Sequence, residues 1–261
     1  VQTCALPIWR PDEALDSLDA SLRLAPDDAE THAIRGNVLK VMQRPEEALA
    51  SFDEAIRLAP SNAVFWNHRA NVLKDLHRLD EALVNCDEAL RLNPTYQSAF
   101  NNRGNVLLDL RLLDEALSSY EQAIRLDPSN SIVWDNRGLL LTVMRRPDEA
   151  LVSFEEALRL NPGNAIAFNN RGNLLQELRL LDEALSSYDQ AIRLDPCNSI
   201  FWDNRGKLLH FLRRQEEALA NFDEALRLSP QFPAIAGSAA HASAAICQWA
   251  GLPQRLECVT R

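Results

Sequence analysis

Seven prolines, Pro26, Pro60, Pro94, Pro128, Pro162, Pro196 and Pro230, follow one another at intervals of 34 residues without an insertion. A fixed period of this length marks a repeat array and constrains the architecture before any other feature does. A short unit cannot bury its apolar face alone, so its neighbours must supply the rest of the core. With the proline set as residue 32, six full units run 29–62, 63–96, 97–130, 131–164, 165–198 and 199–232. Units three and five differ at seven of their 34 positions, and units four and six share a W-D-N-R-G run. The array therefore descends from a duplicated pair of units.

Within each unit, apolar residues recur at spacings of three and four, which is helical periodicity. A first helix (A) is predicted to end near position 14. A second (B) is predicted to start at the [DE]-E-A-L run near position 18, where acidic residues suit the positive end of a helix dipole. Pro11, Pro45 and Pro147 fall at position 17, a helix-start slot where a missing N–H costs nothing. Position 8 is Gly36, Ala70, Gly104, Gly138, Gly172 and Gly206, and positions 20 and 27 are always alanine. These small residues allow close helix approach. Position 24 carries Phe52, Cys86, Tyr120, Phe154, Tyr188 and Phe222. The aromatic at position 4, such as Trp66, Trp134 or Trp202, is expected to fill the gap to the next unit. On that reading, truncating Trp134 costs about 3–5 kcal/mol. At nearly every signature position this pattern resembles the tetratricopeptide repeat family, over about four fifths of the chain. The resemblance implies an all-α fold, a right-handed α-solenoid of helix-turn-helix units.

The composition, 46% hydrophobic and 25% charged, is that of a folded protein. The net charge of −10 argues against a sequence-independent nucleic-acid binder, which needs clustered cations. No apolar run is long enough for a membrane span. Five cysteines are scattered without a C-x-x-C pair, which reads as reduced thiols in a cytoplasm. The five histidines lie away from cysteine and from one another, so no metal site is expected. No phosphate-cradling loop, nucleophile elbow or H-E-x-x-H is present, and neither a catalytic residue nor a cofactor is expected in this chain.

The two ends depart from the period. Residues 9–28 read as the second helix of a truncated repeat. Val1–Ile8 looks like the translation of a sequencing adapter and is expected to be non-native. Residues 233–261 read as a cap helix or as the start of a further region. Pro230, Phe232, Pro233, His241, Cys247, Trp249 and Arg255 are spaced as P-x-F-P, A-H, C-x-W and R. This is similar to the junction at which the repeats of the O-linked N-acetylglucosaminyltransferase/SPINDLY family meet the transferase region. Gln248, Ala236 and Ser238 stand where that family commonly has Asp, Tyr and Asn.

The tetratricopeptide resemblance implies that helix A lines the concave side, with positions 2, 5, 6, 9, 12 and 13 facing the groove. Position 6 is Asn102, Asn136, Asn170 and Asn204 in four consecutive units, and position 9 adds Asn105 and Asn173. The glycosyltransferase family grips an extended polypeptide through a similar asparagine ladder. An amide offers one acceptor and two donors, so it can pair with a peptide unit whatever its side chain. The reading is a protein-interaction scaffold with a protein or peptide ligand in its groove. The alternative is the substrate-recognition arm of a truncated glycosyltransferase of the family just named. A clamp for chaperone carboxylates is disfavoured, because the lysines it requires at position 5 are Ala33, Asn67, Asn101, Asp135, Asn169 and Asp203. The arginine at position 7 of every unit is expected to pair with acids of a neighbouring helix, such as Glu54, Glu88 and Glu156 at position 26. The oligomeric state is left open.

Overall fold

A computed structural model describes residues 10–231 together with Gly237. Val1–Ile8 and residues 233–261, apart from Gly237, lie outside the described residues. Thirteen helices and no strand occur among those described: α1 (Pro11–Leu24), α2 (Ala29–Val41), α3 (Pro45–Leu58), α4 (Ala63–Asp75), α5 (Leu79–Leu92), α6 (Gln97–Asp109), α7 (Leu113–Leu126), α8 (Ser131–Val143), α9 (Pro147–Leu160), α10 (Ala165–Glu177), α11 (Leu181–Leu194), α12 (Ser199–Phe211) and α13 (Gln215–Leu228). The even-numbered helices are A helices and the odd-numbered ones B helices. The fold is an all-α solenoid of stacked helix pairs. It divides into two compact units, one ending at Leu140 and the other beginning at Leu141.

Local sequence sets the helix boundaries. Asp28, Asn62, Asn164 and Asn198, at position 34, cap the A helices by accepting hydrogen bonds from backbone N–H groups of the first turn. Pro11, Pro45 and Pro147 open B helices, as the spacing predicts. The A helices end in a left-handed residue at position 15, with φ between 56° and 64° at Gln43, His77, Arg111, Arg145, Arg179 and Arg213. The hydrogen bonds there follow the 6→1 and 5→2 pattern, Arg44 N to Leu39 O and Gln43 N to Lys40 O in the first repeat. None of the six is glycine, the residue that adopts this conformation most easily.

The core is built on the small positions. All twelve alanines at positions 20 and 27 of the six repeats are fully buried. The aromatic at position 24 is buried too, and its ring lies flat against the backbone at position 8. A Cβ on Gly104 would stand 2.6 Å from Tyr120 Cε1, and one on Gly172 or Gly206 would stand 2.7 Å from the Tyr188 or Phe222 ring. Gly36 faces Phe52 in the same way at 2.8 Å. The second repeat alone pairs Ala70 with Cys86. The missing ring makes room for the methyl group, and burial raises the Cys86 thiol to about 12. Position 4 behaves differently from the expectation. Trp66, Trp134 and Trp202 are half-buried, and each indole N–H donates to the carbonyl of the preceding repeat's proline, Pro60, Pro128 or Pro196. Their rings close the inter-repeat turn, and the buried neighbour is position 3, with Phe65 and Phe201 at 1% and 2% exposure.

The position 7 arginines tie repeats together, through different acids from those expected. Arg35, Arg69 and Arg103 donate from Nε to Asp19, Asp53 and Asp87 at position 25 of the preceding repeat, each at 2.7 Å. Arg137 and Arg171 meet Glu121 and Glu155 at 3.6 and 3.9 Å, and Arg205 stands 2.6 Å from Asp189. Nη1 reaches the buried position 23 of the arginine's own repeat, as in Arg103 to Ser119 at 2.9 Å. The position 26 glutamates instead take bidentate bonds from position 29 on their own helix, Arg57 to Glu54, Arg91 to Glu88 and Arg159 to Glu156. The i, i+3 geometry makes that local pair the easier one to form.

Cys86→Tyr should destabilise the chain by about 1–3 kcal/mol through overpacking, and Ala70→Gly should recover most of the loss in a double-mutant cycle read by urea denaturation. Arg111→Gly should stabilise by about 0.5–1 kcal/mol, since relief of the left-handed backbone outweighs the entropy that glycine adds to the unfolded chain. A rise in the denaturation midpoint at unchanged slope is the expected readout.

Candidate functional site

The packing distinguishes the inner face of each unit from the outer one. Within the first unit α2 touches α4 and α4 touches α6, and within the second α10 touches α12. Successive B helices in either unit make no such contact among the described residues. The A helices therefore lie on the inside of each unit's curve. Along each of them, positions 2, 6, 9 and 13 share one face (Ile166, Asn170, Asn173 and Glu177 on α10; Ile200, Asn204, Lys207 and Phe211 on α12) because their spacing follows the helical repeat. Ile132, Ile166 and Ile200 at position 2 are more than half exposed, an apolar rim beside the amides.

The asparagines are held in defined orientations. At position 6, Asn102 Nδ2 donates to Asn67 Oδ1 at 2.8 Å, Asn136 to Asn101 at 2.9 Å, and Asn204 to Asn169 at 2.8 Å. Each acceptor is position 5 of the preceding repeat. Asn170 sits at the same position on α10 and is engaged as well. At position 9 the polarity is reversed. Asn105 Oδ1 accepts from the buried Tyr120 hydroxyl, and Asn173 Oδ1 from Tyr188, both at 2.7 Å. In these pairs position 6 retains its carbonyl oxygen and one N–H, while position 9 retains both N–H groups. Burial raises both tyrosine hydroxyls above their ordinary range, so they remain protonated donors.

Tetratricopeptide repeat family models match residues 63–96 and 98–130, and also 10–63, 136–199 and 169–233. The chain belongs to the tetratricopeptide repeat family. Among solved structures it is similar to YrrB, described as a tetratricopeptide repeat protein with an unusual peptide-binding site. That similarity is 28% identity over 74% of this chain and 97% of YrrB, with a TM-score of 0.54. A tetratricopeptide repeat protein from Parabacteroides merdae shares the fold at 19% identity, 89% and 92% coverage and a TM-score of 0.72. The Cut9–Hcn1 assembly of the APC/C shares it at 17% identity and a TM-score of 0.77, over 89% of this chain and 46% of that one. No curated protein matches the chain.

Several sequence expectations for this tetratricopeptide array require adjustment. Position 5 does not face the groove. Asn67, Asp135, Asn169 and Asp203 are buried, between 2% and 7% exposed, and at three of the repeat junctions position 5 is the acceptor that fixes the next repeat's position 6 amide. Periodicity alone could not separate neighbouring positions on one polar helix face. The C-terminal junction residues beyond Pro230 lie outside the described residues, and the family matches stop at residue 233. Cys86 is a free buried thiol, whereas Cys197 is disulfide-bonded. The expectation of reduced thiols does not hold at Cys197. No helix among the described residues is long and apolar enough to cross a membrane.

The second repeat carries His68 at position 6. Its Nδ1 lies 3.2 Å from Asn37 Nδ2, and its ring meets Phe52 edge-on at 5.9 Å. Burial, and secondarily the charge of Lys40, hold its pKa below the ordinary histidine value. The unfolded chain therefore takes up this proton first as pH falls. The stabilising contribution is complete above about 6.5 and is lost as pH falls through the folded value. Urea denaturation at pH 7.5 and 5.5 should show a loss of stability in the wild type that is smaller in His68→Asn.

Proposed function

We propose that this chain is a non-enzymatic protein-interaction scaffold whose A-helix faces hold extended peptide segments by their backbone. Tetratricopeptide repeat proteins serve as interaction scaffolds. The particular reading rests on one observation, the opposite polarity of the two amide columns. Asn102, Asn136 and Asn204 offer an acceptor, with Asn170 at the same register position between them, while Asn105 and Asn173 offer donors. An extended peptide presents the matching N–H and C=O groups, and position 9 adds two donors per amide to the acceptor and single donor that position 6 keeps. Each hydrogen bond adds only about 0.5–1.5 kcal/mol net, so affinity comes from repetition. The amides are already oriented by Asn67, Asn101, Asn169, Tyr120 and Tyr188, which reduces the ordering cost of binding. The peptide-binding site described for YrrB supports the same use of the fold.

The alternative parentage, a substrate-recognition arm of an O-linked N-acetylglucosaminyltransferase/SPINDLY-like enzyme, rests on the sequence from Pro230 onward and on the asparagine series at position 6. It assigns the same binding role to the described helices.

The triple variant Asn102→Ala/Asn136→Ala/Asn170→Ala should weaken capture of peptides selected from a random-sequence library by about tenfold or more. A companion variant, Val84→Ser/Val152→Ser, alters exposed B-helix residues and should leave binding unchanged. The asparagines also join repeats, so thermal unfolding of both variants is measured alongside. Equal affinity of the triple variant and the wild type for those peptides disposes of the reading.

A further inference from the structure

Resting on the peptide-groove reading, we propose that the hollow between the α8–α9 turn and α10 receives one aromatic side chain of the partner, clamped under the guanidinium of Arg145. The hollow has a volume of about 220 Å³ and is lined by Thr142, Arg145, Pro147, Leu174, Glu177 and Leu178. That is below the roughly 300–1,000 Å³ of sites that take whole small molecules, so it suits a single large side chain. Its origin is legible in the repeat. Where position 17 is leucine, as at Leu79 and Leu181, the side chain packs into the core beside the turn. The short ring of Pro147 leaves that space open.

The occupant is indicated by the protein itself one repeat later. Arg179, the counterpart of Arg145 at position 15, lies over the ring of Phe211 with its guanidinium carbon 4.8 Å from the ring centre. Phe211 holds position 13 of α12, the position that Glu177 holds on α10. In the α10–α12 step the chain thus provides both the cation and the aromatic ring. In the preceding step the cation is present and the ring is replaced by a carboxylate.

Arg145 is poorly engaged as it stands. Its side chain is 85% exposed, and its pairing with Glu177 is 3.6 Å long, well beyond the charge-assisted hydrogen bonds made elsewhere in the chain. An incoming ring would lie on the apolar floor of Leu174 and Leu178 with the guanidinium over its face, an arrangement that gains strength as water is excluded.

The counterpart hollow of the first repeat lacks this chemistry. It too opens beside a proline, Pro45, but position 15 is Gln43, and a 3.2 Å Lys40–Asp75 ion pair spans the gap. Its lining therefore gives no guanidinium to cover a ring, and the preference for an aromatic side chain belongs to the fourth repeat.

The test selects peptides from a random-sequence library on the full chain and measures their affinity for three proteins. Glu177→Phe gives α10 the ring that α12 has and should fill the hollow from within. Arg145→Gly removes the cation at a backbone position that glycine favours. Selected peptides should share one Phe, Tyr or Trp position. They should bind Glu177→Phe at least about tenfold more weakly, with thermal stability retained, and Arg145→Gly about two- to five-fold more weakly. Replacing the shared aromatic by leucine should weaken binding to the wild type and make no further difference in Glu177→Phe.

Peptides without a shared aromatic, or peptides whose affinity is equal for wild type, Glu177→Phe and Arg145→Gly, overturn the aromatic site. If such peptides still depend on Asn102, Asn136 and Asn170, the groove reading stands without it. Recovery of no binding peptide overturns both. Should Glu177→Phe fail to fold, Arg145→Gly and the leucine-substituted peptide together distinguish the same outcomes.

Discussion

Four of the helix pairs depend on a ring pressed against a backbone that carries no side chain. The distances at Gly36, Gly104, Gly172 and Gly206 leave no space for a methyl group, so the separation of A and B helices is set by the thickness of an aromatic ring. The alanines at positions 20 and 27 allow the flanking helices to close to the same degree. This geometry recurs at the same positions within each of the two units. The second repeat, with Ala70 and Cys86, tests the rule from the other side, since both partners of the contact change together.

Packing joins the two helices of a pair, and polar groups do much of the joining between pairs. The position 7 arginine contacts an acid on the preceding B helix and a polar side chain on its own, bridging three helices from a partly buried place. An apolar seam there would be free to slide by a residue or two, whereas directional hydrogen bonds accept one register. The asparagine bonds between positions 5 and 6 add a second fixed register on the inner face. In this array the groups proposed to meet the ligand and the groups that lock the repeats are therefore the same amides.

That double use links structure to function. An amide left free in solvent would have to be ordered by the peptide it binds. Here the neighbouring repeat or the buried tyrosine has already fixed its direction. On α6, Asn102 keeps its carbonyl oxygen and Asn105 keeps both N–H groups, which suits a backbone better than any particular side chain. In the proposed groove, selectivity would depend on irregularities in the repeat, and the exchange of leucine for Pro147 beside Arg145 is such an irregularity.

Much of this was legible in the chain itself. A period of 34 residues without insertions determined the number of helix pairs, their order and their turns, because proline, asparagine caps and acidic helix starts act locally. The alanines and glycines marked the close contacts for the same reason. Partner choice across space was not legible. Whether Arg103 would meet Asp87 or Glu88 turns on a rotation of about 100° per residue around the helix, which composition and spacing do not encode. The same holds for Asn67 and Asn102, adjacent register positions of which one is buried and the other presented. The sequence by itself determined that repeats would stack. Only the tertiary structure decided which polar atoms that stacking consumes and which it leaves on the A-helix face, because that depends on the angle between helices rather than on any one of them.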